Sequence, residues 1–238
     1  MDRIDNRTNS QLRPVKFTPN FTAYAEGSVL VETGNTRVLC NATIEDRVPA
    51  WREASGGGWL TAEYAMLPRA THRRISRRQG SEEGRAQEIR RLIGRALRAA
   101  VNVDKLGART VIVDCDVIQA DGGTRTASIN GGYVAVAMAL HKLIETYQVP
   151  ASVLTTPVAA VSVGVVHHEL LLDLCYEEDA AAEVDLNVVM TGTGKFVELQ
   201  GTAERTPFDH EALLGLLVLA RQGIEQLLTL QAALLAQL

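Results

Sequence analysis

The stretch that decides the fold runs from Asp114 to Gly132 and reads DCDVIQADGGTRTASINGG. Thr110 to Ile118 overlaps the start of this stretch, and its apolar and polar residues alternate as in a half-buried strand. At its end, Ile129 to Tyr147 is a long run without proline, rich in alanine and valine, which predicts a helix. The chain is therefore predicted to turn sharply from a strand into a long helix at Gly122 and Gly123.

The predicted turn has the chemistry of an anion site. Unpaired backbone N–H groups and the helix dipole both favour negative charge at a helix N-terminus. Arg125 stands in the middle of the turn, and its guanidinium can make bidentate bonds to a phosphate. An ordinary strand-to-helix turn, with the arginine paired to an aspartate, accounts for the local pattern equally well.

The charge of the chain is unevenly distributed. The net charge is −4, but Arg69 to Arg98 contains ten arginines against three glutamates, and 20 of the 24 basic residues are arginine. The planar fork of arginine suits phosphate, whereas lysine would serve equally well for solubility. This segment is therefore predicted to form a polyphosphate-binding face on an acidic body, the alternative being a solvated run of charges.

Composition indicates an ordinary soluble protein. Hydrophobic residues make up 46% of the chain, and its longest apolar run, Leu213 to Ala220, is far shorter than the roughly 20 residues that span a bilayer. Cys40, Cys115 and Cys175 are widely separated and are predicted to be buried thiols in a reducing compartment. With no apolar leader at the N-terminus, we expect a cytoplasmic protein that does not associate with membranes.

Hairpins and amphipathic helices predict an α+β fold with mixed sheets packed against helices. Ser28 to Glu32 and Thr36 to Ile44 flank a Gly34-Asn35 turn, a strong hairpin signal. Further strands are predicted at Trp59–Leu67, Ala159–Val166, Glu169–Leu174, Val184–Thr191 and Lys195–Gln200, and further helices at Arg85–Ala100 and from Thr206 to about Leu235. No linker divides the chain, which predicts a single domain over residues 1–238, with Met1 to Leu12 as a poorly ordered lead-in.

The arginine-rich segment has two parts. Its first part has little apolar periodicity and is predicted to be an exposed, mobile loop that binds single-stranded nucleic acid by backbone charge. The arginines of this loop are Arg69, Arg73, Arg74, Arg77 and Arg78. Arg85 begins the helix that follows, where it can point toward the same region as Arg125.

Two aspartates share one face of the predicted strand before the glycine turn. Asp114 and Asp116 face a neighbouring layer, so each is expected to pair with a cation or a hydrogen-bond donor. A structural role at the turn is the favoured interpretation, and metal ligation is the minority one.

Several longer stretches together resemble the ribonuclease PH family of phosphate-dependent 3′ exoribonucleases, along nearly the full chain. They are Gln11–Val15, Ala25–Val31, Gly58–Tyr64, Met66–Thr71, Asp114–Ser128 and Val197–Glu204. The resemblance implies a fold shared with polynucleotide phosphorylase and exosome ring subunits, and a homohexamer built as a trimer of dimers. It also implies removal of 3′-terminal nucleotides, chiefly from precursor tRNA, by inorganic phosphate with release of nucleoside diphosphates.

The resemblance also assigns roles to particular residues. Arg85, Gly123, Thr124 and Arg125 fall where the family binds phosphate, and the arginines between Arg69 and Arg78 fall in its RNA-contacting loop. Asp179 and Asp185 fall where the family places two carboxylates for acid catalysis or Mg²⁺ coordination; without the resemblance they read as surface acids. Cys175, four residues before Asp179, departs from the family pattern and makes the carboxylate half the less certain part of the site.

Two other functions compete with phosphorolysis. A catalytically inert RNA-binding ring subunit, as in some exosome relatives, would lack the phosphate and carboxylate set, which is complete here. A hydrolytic nuclease would use metal-activated water and release monophosphates.

Overall fold

Two β-sheets enclose a central helix in this computed structural model, which describes residues 3–82 and 84–238. The strands are β1 (Val15–Pro19), β2 (Gly27–Thr33), β3 (Thr36–Glu45), β4 (Trp59–Met66), β5 (Thr110–Gln119), β6 (Val158–Val166), β7 (Glu169–Leu172), β8 (Val184–Thr191) and β9 (Phe196–Ala203). The helices are α1 (Ala50–Glu53), α2 (Arg77–Glu82), α3 (Gly84–Arg98), α4 (Thr124–Glu145), α5 (Tyr176–Ala181) and α6 (His210–Leu235). The α+β fold predicted from the sequence is confirmed.

The first sheet has the order β1-β2-β3-β5-β4, and its strands are antiparallel except for the parallel pair β4 and β5. Buried and partly exposed residues alternate along its strands because only one face of the sheet is buried. In β5, for example, Val111, Val113 and Val117 are fully excluded from solvent. The predicted hairpin joins β2 to β3, where Gly34 adopts a positive φ of 56°.

The second sheet has the order β7-β6-β8-β9 and is wholly antiparallel. Every residue of β6 is buried, since α4 covers one face of this strand and α6 covers the other. A strand covered on both faces reads as a continuous apolar run rather than an alternation, as Val158 to Val166 does.

Helix α4 lies between the two sheets and joins their cores. It contacts β2, β3 and β5 of the first sheet and β6 of the second. A Cβ atom on Gly131 would lie 2.7 Å from a methyl carbon of Val31 and 2.8 Å from the sulfur of Cys40. The glycines that disfavour this helix locally are therefore explained by its close approach to the first sheet.

The prediction of a poorly ordered lead-in is wrong for residues 3–12. Arg3 and Arg7 are 4% and 7% exposed, and both donate to the backbone carbonyls of Leu172 and Asp173. Their charges are offset by buried carboxylates, among them Glu178, which accepts bidentate bonds from Arg3 at 2.7 and 2.6 Å. Residues 1 and 2 lie outside the described part, and the organisation of the chain as a single domain stays a prediction.

The arginine-rich loop is shorter than predicted. Arg77 and Arg78 belong to helix α2, which packs on β4 so closely that a Cβ atom on Gly80 would meet the Met66 carbonyl oxygen at 2.4 Å. Arg69, Arg73 and Arg74 precede this helix, and all five arginines are exposed, as predicted.

The final helix begins later than its proline suggests. Asp209 is the N-cap of α6 and accepts a bond from the backbone N–H of Ala212 at 2.8 Å, so Pro207 lies outside the helix. By length and composition alone, α6 is apolar enough to cross a membrane, a test that a core helix also passes. One face of α6, including Leu216, Ala220 and Ile224, is buried in the core of the second sheet.

Candidate active site

The glycine turn between β5 and α4 forms as predicted. Gly122 and Gly123 have φ values of 72° and 65°, which only glycine adopts without strain, and Gly123 is the N-cap residue of α4. The helix begins at Thr124, five residues before the predicted start, because its first turn lies within the polar stretch. The unpaired N–H groups of a 22-residue helix are thus placed beside Arg125.

Four of the predicted catalytic and phosphate-binding residues line one cavity of about 490 Å³. Arg85 comes from the start of α3 and Arg125 from the start of α4. Asp179 lies on the short helix α5, and Asp185 lies on β8. Two cations and two carboxylates, far apart in sequence, therefore face a common space.

Arg125 is held by partners that the sequence did not indicate. Its Nη1 donates to the side-chain oxygen of Gln200 and lies 3.5 Å from a carboxylate oxygen of Glu88. The amide of Gln200 in turn donates to Glu88. Among the described residues no aspartate pairs with Arg125, so the ordinary-turn alternative, in which Arg125 pairs with an aspartate, is not what the structure shows there.

Gly123 and Thr124 do not line the cavity themselves but form the helix start next to it. The hydroxyl of Thr124 lies 2.9 Å from the phenol oxygen of Tyr64, which is 2% exposed at the end of β4. Burial raises the pKa of Tyr64, so the phenol remains protonated near neutral pH and can orient the threonine hydroxyl.

The two cavity carboxylates differ in their electrostatic surroundings. Burial, followed by the charge of Asp179, raises the pKa of Asp185 to about 6, although Arg125 and Arg85 act in the opposite direction. Desolvation by the surrounding protein also raises the pKa of Asp179, although its side chain is exposed to solvent in the cavity. One oxygen of Asp185, Oδ1, is buried without a hydrogen-bond partner. Asp185 is therefore poised to hold a proton or a cation near neutral pH.

Sequence reasoning missed several cavity residues. These are Glu88, Asn187, Gln200, Thr202, Glu204 and Arg205. The register of β8 and β9 explains four of the cavity positions, because Asp185 pairs with Thr202 and Asn187 pairs with Gln200. A period of two along both strands, starting at Asp185, would have indicated these neighbours; the prediction instead ended β9 at Gln200, whereas the strand continues to Ala203.

Asp114 and Asp116 do not reach this cavity, and the expected cation partners are not found among the described residues. Burial raises the pKa of both aspartates, and Asp116 and Glu63 add to the effect at Asp114. The side chains lie half-buried on the outer face of the first sheet, where β5 pairs with β3 and β4. Arg90 of α3 reaches the neighbouring position on β4, where it pairs with Glu63 at 2.9 Å rather than with Asp114.

The predicted RNA-binding arginines lie outside the 490 Å³ cavity. Arg69 lines a separate cavity of about 670 Å³, together with His72 and Asp121. The loop approaches the carboxylate helix, since the rings of His72 and Tyr176 are 6.3 Å apart. Arg69 thus lies beside the entry to the glycine turn, in a different cavity from the one that Arg125 lines.

Comparison with known proteins establishes the class. Residues 11–141 match domain 1 of the 3′ exoribonuclease family, and residues 156–223 match domain 2 of the same family. The chain therefore belongs to the 3′ exoribonuclease family. It is 55% identical to ribonuclease PH of Bacillus velezensis over 99% of this chain and 97% of the relative, and 55% identical to ribonuclease PH of Bacillus subtilis over 96% and 95%.

Solved structures of low sequence identity share the fold. Rice (Oryza sativa) Rrp46 superposes with a TM-score of 0.81 at 18% identity, covering 98% of this chain and all of that one. The exosome of Archaeoglobus fulgidus with RNA bound to the active site gives 0.78 at 23% identity, covering 95% of this chain and 91% of that one. An archaeal exosome core gives 0.78 at 21%, covering 97% and 91%.

The full-length match to ribonuclease PH confirms the activity predicted from the sequence. The chain is a phosphorolytic 3′–5′ exoribonuclease that uses inorganic phosphate as co-substrate. An inert ring subunit is less well supported, because the relatives at 55% identity are ribonucleases, whereas the exosome structures, at 23% and 21% identity, share only the fold.

Proposed function

We propose that Arg85, Gly123, Thr124 and Arg125 bind the attacking inorganic phosphate, and that Asp179 and Asp185 assist departure of the 3′ oxygen. The observation that carries this proposal is the convergence of both arginines and both carboxylates on one cavity. In phosphorolysis the phosphate is itself the nucleophile, so no activated serine, cysteine or histidine is needed.

The phosphate half of the site answers an electrostatic problem. A phosphate dianion must approach a phosphodiester in line, against the repulsion between two anions. Arg85 and Arg125 offset that repulsion, and the start of α4 adds N–H donors beside them. Phosphate displaces Glu88 and Gln200 from Arg125, because it can accept two parallel hydrogen bonds from the guanidinium. Gln200 accepts only one such bond, and Glu88 lies 3.5 Å away.

The carboxylate half supplies the proton that the reaction requires. Cleavage transfers the bond of the terminal phosphorus from the 3′ oxygen to the incoming phosphate, and the 3′ oxygen gains a proton. A pKa of about 6 keeps a fraction of Asp185 protonated at neutral pH, whereas an ordinary aspartate would be almost fully ionised, so Asp185 can donate a proton within the cavity. Asp179, on the facing helix, raises the pKa of Asp185 by its charge.

The same carboxylates fit Mg²⁺. Magnesium is commonly held by one or two carboxylates together with substrate phosphates, and the unpartnered Oδ1 of Asp185 is a suitable ligand atom beside Asp179. Bound there, Mg²⁺ would neutralise the phosphates in place of the proton.

We further propose that the RNA strand contacts Arg69, Arg73, Arg74, Arg77 and Arg78, and that the substrates are chiefly tRNA precursors. All five side chains are exposed and offer charge to a phosphate backbone without base readout. Changing Arg73 and Arg77 together to alanine is expected to weaken RNA binding about tenfold and leave the KM for phosphate unchanged. Fluorescence anisotropy with a tailed RNA measures the first quantity, and an equal loss in both would contradict the loop assignment.

The enzyme is proposed to act in the cytoplasm as a homohexamer, a trimer of dimers. All three cysteines are unpaired and buried, as expected in a reducing compartment. Leu214 and Val218 on the outer face of α6 are 49% and 57% exposed, which supports burial of this face in an assembly. Native mass spectrometry tests the hexamer directly.

The decisive experiment for the reaction uses a 3′-tailed tRNA with and without inorganic phosphate. We expect nucleoside diphosphates only when phosphate is present. Release of monophosphates without phosphate would indicate hydrolysis, and binding without release under both conditions would indicate an inert ring subunit.

A further inference from the structure

A single buried arginine of the N-terminal segment joins the two halves of the proposed site. Arg13 is 3% exposed and makes a bidentate contact with Asp173, with Nε 3.0 Å from Oδ2 and Nη2 2.6 Å from Oδ1. Its remaining nitrogen, Nη1, donates to the backbone carbonyl of Asp121 at 2.5 Å. Arg13 thus uses one rigid fork to hold two segments that are about fifty residues apart in sequence.

The first of these segments is the entry to the glycine turn. Asp121 directly precedes Gly122 and Gly123, and its N–H donates to the hydroxyl of Thr36 at 2.9 Å. A Cβ atom on Gly123 would lie 2.8 Å from Nη2 of Arg13, so the N-cap of α4 rests against the guanidinium. Any shift of Arg13 therefore acts on the start of the helix that carries Arg125.

The second segment leads into the carboxylate helix. Asp173 is 2% exposed and adopts a positive φ of 56°, a conformation that a non-glycine residue keeps only when its surroundings hold it. Its carboxylate also accepts the backbone N–H of Arg13 at 2.8 Å. Two residues later, Cys175 caps α5, the helix on which Asp179 lies.

The two segments also touch each other directly. The N–H of Tyr176, the first residue of α5, donates to the Asp121 carboxylate at 3.2 Å. A Cβ atom on Gly122 would lie 2.7 Å from the Leu174 carbonyl oxygen, so no side chain fits between them. The turn and the start of α5 form one unit, with Arg13 at its centre.

We infer that Arg13 is a positioning residue for phosphorolysis, which fixes the spacing between the phosphate turn and Asp179. This inference rests on the site roles proposed above. Arg13 does not line the cavity; it acts through Gly123, the Asp121 carbonyl and the Asp173 carboxylate. Such an indirect effect is large enough to measure, because a displacement of about 1 Å between reacting groups can lower a rate a hundredfold.

The test compares Arg13→Lys with Arg3→Lys. Both replace a buried arginine fork by a point charge, but only Arg13 contacts the phosphate turn, whereas Arg3 binds Glu178 and the carbonyls of residues 172 and 173. For Arg13→Lys we expect kcat to fall 10- to 100-fold and the KM for phosphate to rise, with the KM for RNA unchanged. For Arg3→Lys we expect a similar drop in melting temperature, with kcat and the phosphate KM within about threefold of the parent enzyme.

Assays are made well below the melting temperature of each variant, so loss of fold does not enter the rates. If Arg13→Lys does not fold, Arg13→Gln serves instead, because one amide reaches only one of the two partners. Equal changes in kcat and in the KM for phosphate in Arg13→Lys and Arg3→Lys would overturn the inference. Unchanged activity of Arg125→Ala in the same assay would overturn the phosphate site and this inference together, whereas loss in Arg125→Ala with an unaffected position-13 variant would overturn the inference alone.

Discussion

Two pairs of aspartates in this molecule have different electrostatic surroundings. Asp114 and Asp116, the sheet pair, lie two residues apart on the outer face of β5. Asp179 and Asp185, the cavity pair, come from α5 and β8. Burial raises the pKa of all four carboxyl groups, but only the cavity pair lies near arginines whose charges act in the opposite direction.

The difference shows that a perturbed carboxylate alone does not mark an active site. The sheet pair has the more suggestive sequence, since an Asp-x-Asp motif precedes a glycine turn. The cavity pair sits in an acidic stretch that resembles solvated surface. What separates them is a shared cavity with Arg85 and Arg125, which brings opposite charges and room for a phosphate to one place.

The largest loss of activity is expected from removing an arginine that shares the cavity with Asp179 and Asp185. Arg125→Ala should lower the phosphorolysis rate by about a thousandfold, because a guanidinium that stabilises transferring phosphate contributes on that scale. Steady-state release of nucleoside diphosphates measures the loss, and native mass spectrometry checks that assembly is unchanged. Arg91→Ala is the matched control, since Arg91 is an exposed arginine on the outer face of α3 that does not line the cavity. Equal activity of the two variants would remove Arg125 from the phosphate site.

The next effect compares the two pairs directly. Asp185→Asn should reduce kcat by about a hundredfold, because loss of a general acid typically costs that much or more. Asp116→Asn, the same change on the sheet pair, should leave kcat within about twofold. Both rates are measured at pH 7 with saturating phosphate and a tailed tRNA, with and without a chelator. Similar losses in both variants would contradict the distinction between the pairs.

A third, smaller effect concerns stability. The folded protein raises the pKa of Asp185 from 3.8 to about 6, so the folded state binds this proton more tightly than the unfolded chain does. The stability associated with this proton is therefore fully present below about pH 4 and is lost as the pH rises from about 4 to about 6. Asp185→Asn should match the parent near pH 4 and exceed its free energy of unfolding by about 2 kcal/mol at pH 8, since each pKa unit corresponds to about 1.4 kcal/mol and cavity water screens part of the effect.

Urea unfolding at the two pH values measures this difference. A stability gain of the same size at both pH values would mean that the asparagine acts through packing rather than through the carboxylate charge.

Much of the fold was predictable because the local signals agree with the tertiary structure. The hairpin turn at Gly34, the strand before Gly122 and the amphipathic α3 all rest on short-range rules. The order of the lead-in escapes sequence-based prediction, because its burial depends on ion pairs with residues about 170 positions away, which no local pattern contains. The start of α6 was misplaced because Pro207 gave a stronger local signal than the cap at Asp209.

The candidate site was predictable only in part. The glycine turn and Arg125 follow from local chemistry, whereas the two carboxylates came from family resemblance alone. Gln200 and Thr202 were missed because their position depends on the register between β8 and β9. Arg13 was missed as well, because its two partners lie in segments that meet only in the folded chain.

The smallest effect is expected at the sheet pair, where charge is uncompensated but partly hydrated. Burial raises the pKa of Asp114, and the charges of Asp116 and Glu63 add to this effect. Ionisation of Asp114 therefore destabilises the folded state, and the destabilisation appears as the pH rises. Asp114→Asn should therefore stabilise the protein slightly at pH 8, within the range of about 0.5 kcal/mol that is usual for a substitution near the surface, and should have no such effect near pH 3. Phosphorolysis should be unaltered. Urea unfolding combined with the diphosphate assay tests both halves. Loss of activity in this variant would place the sheet pair in the chemistry after all, and would break the contrast between the two pairs.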